Sequence, residues 1–154
     1  LSLGTNVDII DITGYAPLIN DGNLIQLTIS AAKEVLSEYE FEDYRGATGS
    51  GSTDMGDLSC IMPVVHPYCA GASGIGHGNN YKIADPNLAC ISSAKLQLGL
   101  LYALLSEYAK QARKVLAEFK PRFASKEEYL NYMDSLNASG DRIEYLENEA
   151  KIKL

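Results

Sequence analysis

A chain of 154 residues is long enough for one domain or a large part of one, and 46% hydrophobic with 21% charged residues is ordinary for a soluble protein. A net charge of −7 repels the phosphate backbone, so nucleic acid is excluded as an expected partner. Three cysteines, Cys60, Cys69 and Cys90, with no Cys-x-x-Cys spacing, argue against a disulfide framework or a structural zinc ribbon and fit a reducing cytoplasm.

No apolar stretch is expected to cross a membrane. The opening, Leu1-Ser2-Leu3-Gly4, is neither an initiator methionine nor a signal peptide, and is read as the start of a fragment. Partial alternation over Asn6–Ile12 predicts a strand, broken by Gly14 and Pro17. Asn20, Asp21 and Gly22 offer a helix start. Leu24, Leu27, Thr28, Ala31, Val35 and Leu36 then recur at helical spacing, predicting an amphipathic helix over Asn23–Tyr39.

Most of the chain's glycines fall between Arg45 and Asp85, together with both histidines. Ile61–Val65 is a short apolar run, expected as a buried strand. Glycine-rich loops beside such a strand are where α/β proteins place ligands. Asp85-Pro86 joins an N-cap acceptor to a proline at the first helical position, so a helix is expected over Pro86–Phe119. Its apolar stripe runs through Leu98, Leu101, Leu105, Tyr108, Ala112, Val115 and Phe119, and Pro121 ends it. Ser125-Lys126-Glu127-Glu128 is a capping box that opens a short helix with Tyr129, Tyr132, Met133 and Leu136 inward. Asp141 is expected to cap a last, mostly polar helix.

Three places carry candidate chemistry. His77 sits in Gly74-Ile75-Gly76-His77-Gly78-Asn79-Asn80, where flanking glycines leave the imidazole accessible to a metal or a proton. The plain alternative is a loop histidine without a role. His66 ends the apolar run before Pro67; it either faces a cleft or is a hydrogen-bonded structural histidine. Ser52, Thr53, Asp54 and Asp57 follow the turn Gly49-Ser50-Gly51 and either cap a helix or serve a site. A Gly-x-Ser-x-Gly elbow, a phosphate-binding loop and His-Glu-x-x-His are all absent from the sequence.

The run Thr48-Gly49-Ser50-Gly51-Ser52-Thr53-Asp54-Met55-Gly56-Asp57-Leu58-Ser59, then Met62-Pro63, His66-Pro67 and Gly71–Pro86, resembles the C-terminal part of metal-dependent amidohydrolases. That family includes aminoacylase, hippurate hydrolase and aminobenzoyl-glutamate hydrolase. It belongs with the zinc carboxypeptidases that carry an inserted lid domain. Val7–Leu18 resembles the last lid strand and the crossover back into the catalytic domain, and the likeness extends to about Leu136.

The resemblance implies an α/β fold: the C-terminal part of a zinc-peptidase-like catalytic domain, with a helical extension. Residues 1–17 would close the lid domain, 18–120 would belong to the catalytic domain and 121–154 to the extension. His77, followed by Ile83, Asp85 and Leu88, would be a ligand of a pair of divalent metals, zinc or manganese. Ser52, Thr53 and Asp54 would shape the floor of the site and orient the substrate. His66 and Gly76 would lie beside it. The implied reaction is hydrolysis of an N-acyl amino acid or small peptide-like amide by metal-activated water.

The family's His-x-Asp or Cys-x-His pair and its Glu-Glu pair belong ahead of these motifs, and neither stands there in this chain. One histidine cannot hold a hydrolytic metal. The chain alone is therefore expected to be inactive, with the remainder of a parent chain as its partner. Homodimerisation or domain swapping through exposed apolar surface is a further expectation. The rival reading is a stand-alone interaction module whose helices present a partner surface.

Overall fold

The structure is a computed structural model that describes residues 9–38, 40–43, 53–140, 143–147 and 149–152. Within them, chain order gives β1 (Ile9–Asp11), α1 (Gly22–Val35), α2 (Met55–Ser59), β2 (Ala72–Ser73) and β3 (Lys82–Ile83). A π-helical turn over Asn87–Ser92 then leads into α3 (Ser93–Glu118), followed by α4 (Lys126–Leu136), β4 (Ala138–Gly140), β5 (Ile143–Tyr145) and β6 (Ala150–Ile152).

The expected α/β fold is not what forms. Helix dominates the described residues, and every strand pairing among them is an antiparallel two-stranded ribbon: β1 with β4, β2 with β3, β5 with β6. A zinc-peptidase-like domain needs a parallel sheet covered on both faces, and the described residues contain none.

The apolar run expected as its buried strand, Ile61–Val65, forms no ladder. Pro63 and Pro67 lack backbone donors, which disfavours a central strand there. The Val64 carbonyl instead accepts the Asp21 N–H at 2.8 Å and pins the start of α1. The helix expected after Asp141 is likewise replaced by the β5–β6 hairpin, so the C-terminal extension is not wholly helical.

Helix α1 begins where the sequence places it. The Asp21 carboxylate accepts the Leu24 N–H at 2.9 Å, and Leu24, Thr28, Ala31 and Ala32 line the buried face. That face packs on α3, where Gly99 allows close approach: a Cβ there would lie 3.1 Å from a Val35 methyl and 3.6 Å from Ala31. Asn23 donates to Glu118 at 3.0 Å, so the two helices run antiparallel.

The backbone of α3 is interrupted. Ser106 is extended, and Glu107, Tyr108 and Ala109 take left-handed angles, so two helical segments, 93–105 and 110–118, meet at a break. The sequence holds no glycine or proline there. By length and apolar composition alone, the run Asn87–Glu118 is sufficient to cross a membrane.

The short helix α2 is the hub of the packing. Gly56 is buried, and a Cβ on it would lie 1.8 Å from the Ala16 carbonyl oxygen. Asp57 accepts the Ala16 N–H at 2.7 Å, and the Ser59 hydroxyl accepts the Ile19 N–H at 3.2 Å. The Cys60 carbonyl takes the N–H groups of Arg122 and Phe123. The small core thus gathers Leu24, Ala31, Ala32, Cys60, Val64, Val115 and Tyr129.

Candidate functional site

The glycine-rich segment folds into a compact hairpin. β2 and β3 pair through Ala72↔Ile83 and Ser73↔Lys82. At its base the Gly71 carbonyl accepts both the Ala84 and Asp85 N–H groups, at 2.8 and 2.9 Å. Gly71 and Gly74 have φ of +94° and +95°. A Cβ would strike the Asp85 carbonyl oxygen from the first and the Asn80 carbonyl oxygen from the second, at 2.6 and 2.3 Å. Only glycine fits such positions without strain.

The tip is closed by two local bonds. Gly78 N–H donates to the Ile75 carbonyl at 2.7 Å, and the Asn80 side chain accepts the Ile75 N–H at 3.1 Å. His77 sits on this tip, exposed, with φ of +61°. Left-handed angles are uncommon for non-glycine residues, and histidine is among the types enriched there. The hairpin therefore presents the imidazole outward on a backbone that is bonded on both sides. Gly76, its neighbour, is also exposed and has open space where a Cβ would be.

Asp85 joins the hairpin to the helical run. Its carboxylate accepts the N–H groups of Asn87 and Leu88 at 2.9 and 3.1 Å, satisfying two of the donors that a helix start leaves free.

Thr53 and Asp54 stand at the start of α2. The Thr53 hydroxyl donates to the Asp54 carboxylate at 3.3 Å and accepts the Met55 N–H at 3.4 Å. Asp54 occupies the cap position without a side-chain capping bond and is exposed. Ser52 lies outside the described residues. Asp57, one turn on, is committed to structure through Ala16 and Tyr129.

His66 lies elsewhere, after Val64. Its backbone N–H donates to Asn20 at 2.9 Å and its ring meets Tyr68 edge-on at 5.6 Å. Its Nδ1 is buried without a hydrogen-bond partner, which sets it apart from every other described side chain. Leaving such an atom unsatisfied costs about 1–3 kcal/mol.

The structure does not gather these residues. Among those described, no hydrogen bond links His77, Thr53, Asp54 and His66 across the chain, and no three His, Cys, Asp or Glu side chains are grouped to hold a metal. Neither of two cavities is lined by these residues, although Asn20, which accepts the His66 N–H, borders the first. The first, of ≈ 310 Å³, is lined by Asn20, Cys60, Glu118 and Arg122; the other, ≈ 530 Å³, lies between α1 and α3.

Sequence reasoning did not anticipate the part played by Asp57, Ser59 and Cys60 in fixing the crossing segments. The signal was the glycine in Asp54-Met55-Gly56-Asp57, where the backbone of Ala16 passes too close for any side chain. No family model, no curated protein and no solved structure matches this chain.

Proposed function

We propose that this chain supplies one metal-ligating histidine to a two-metal amidohydrolase acting on N-acyl amino acids or small peptide-like amides. The observation behind this reading is the presentation of His77. It lies exposed at a hairpin tip with left-handed backbone, between Gly76 and Gly78. Backbone held in a sparsely populated region is a pointer to function when the surroundings fix it, as the Gly71 and Asn80 bonds do here.

Among the described residues the donor set fits one ligand. A neutral imidazole is the commonest protein ligand for zinc, and its reach is unobstructed. The other ligands and the general base would come from the remainder of a parent chain. A bound metal pair supplies a water acidic enough to ionise near neutral pH and polarises the scissile carbonyl. The residues of this chain hold the imidazole in place: Gly71, Gly74 and Asn80 fix the tip, and Asp85 anchors its base to the helical run. Thr53 and Asp54 support the reading through their place in the same motif, as groups that orient substrate.

The test compares this chain with the product of the full reading frame that encodes it, on hippurate-like substrates with zinc or manganese. This chain alone is expected to show no turnover. The full product is expected to be active and to lose activity by about a hundredfold or more on His77→Ala, with metal content reduced. Turnover by this chain alone, or a His77→Ala enzyme within tenfold of its parent, overturns the proposal.

A further inference from the structure

Helix α3 carries two apolar faces, and only one is covered. Gly99 and Ala103 turn toward α1, with Gly99 against Val35 and Ala31. The other side repeats every three or four residues through Leu98, Leu101, Tyr102 and Leu105, flanked by Ile91 on the preceding π-helical turn and Tyr108 in the break. All six are more than half exposed, from 51% at Ile91 and Leu101 to 92% at Tyr108. Leu98, Leu101 and Leu105 step by three and four, the spacing of a seam that packs against a second helix.

We infer that this face pairs with the same face of a second copy of the chain, α3 against α3 across a two-fold axis. Three observations favour a second copy over other occupants. The first is area: two mostly exposed tyrosines and four half-exposed aliphatic side chains offer on the order of 600–800 Å² per copy, near the ~800 Å² of a standard interface. The second is that the chain carries both halves of an interlocking contact. Tyr108 is exposed, and beside the seam lies the ≈ 530 Å³ groove walled by Leu27, Glu34, Val35, Tyr102, Glu107 and Lys110. A two-fold pairing uses such a side chain and recess twice. The third is that the six seam positions carry no charge, so nothing within the strip repels an identical strip.

A lipid bilayer suits this face less well. The break at Ser106–Ala109 removes regular helical bonding in mid-helix, and Glu107 sits on it. Backbone polar groups without partners are costly in hydrocarbon. The pairing is independent of the metal-ligand reading, which concerns the hairpin.

The experiment is sedimentation of the full 154-residue chain from low to about 100 μM, at low and high salt. The expected species is a discrete dimer, twice the 16.7 kDa chain mass. Each copy bears −7, so the dimer should tighten as salt screens the repulsion. Leu98→Glu and Leu105→Glu, both at exposed positions, should weaken it at least tenfold with unchanged circular dichroism. Ile75→Glu, also exposed but on the hairpin, should leave it intact. A monomer throughout, an open-ended series of aggregates, equal loss in all three variants, or co-flotation with phosphatidylcholine vesicles that the seam variants abolish would each overturn the inference.

Discussion

Tyr129 shows how one side chain ties several segments together. Its ring is buried beside Phe123, with centroids 5.5 Å apart, and its hydroxyl bonds to Asp57, the carboxylate that also holds the Ala16 N–H. Burial first, and the Asp57 carboxylate second, push the phenol up to about 12 from its usual 10. A raised pKa here means that the neutral phenol is the form the fold stabilises. The contribution is whole below pH 10 and is lost as pH rises through about 12. Absorbance titration of the phenolates is expected to show one late component, with helical signal falling in the same window. Tyr129→Phe should abolish that component. A single unperturbed titration for all ten tyrosines would contradict the assignment.

At the scale of elements, Asp85 links hairpin to helix, and Asp85→Ala removes the acceptor for two free N–H groups. The expected loss is about 0.5–2 kcal/mol, concentrated in the π-helical turn. Amide exchange should accelerate at Asn87 and Leu88 and remain unchanged in α4; a uniform effect would mean that the cap is not local. This junction was legible in Asp85-Pro86, as were the Asp21 start of α1 and the Ser125 start of α4, where the Glu128 N–H donates to the Ser125 hydroxyl at 3.1 Å. Caps are written locally, in one or two side chains.

What could not be read was long-range. Ile61–Val65 looks like a strand by composition, yet a strand requires a neighbour, and pairing is not encoded in the run itself. The break in α3 has no glycine or proline to announce it. Among the candidate site residues, the accessibility of His77 followed from its glycines, whereas the distant placement of His66 behind Asn20 did not follow from any spacing.

For the molecule as a whole, the balance between core and surface is the defining feature. Among the described residues seven apolar side chains are buried, while large side chains such as Ile12, Ile19, Tyr68 and Leu116 stand largely exposed, as the α3 seam does. A core this small leaves little to offset chain entropy. Stability should therefore depend on association, and the unfolding midpoint should rise with protein concentration, as binding to the folded state requires. Scanning calorimetry over a hundredfold concentration range checks this; a constant midpoint would indicate that each copy is stable by itself.

The β1–β4 ribbon has a consequence for the order of folding. Its strands come from opposite ends of the described chain, and the neighbouring bond from Thr13 to Asn137 spans 124 residues. Bringing such ends together costs about 4 kcal/mol in closure entropy, against a handful of exposed backbone bonds. The hairpin holding His77 closes within fifteen residues and can form in microseconds. The imidazole would thus be displayed early, while β1 and β4 meet last and part first, so opening of that ribbon leaves the presented histidine intact.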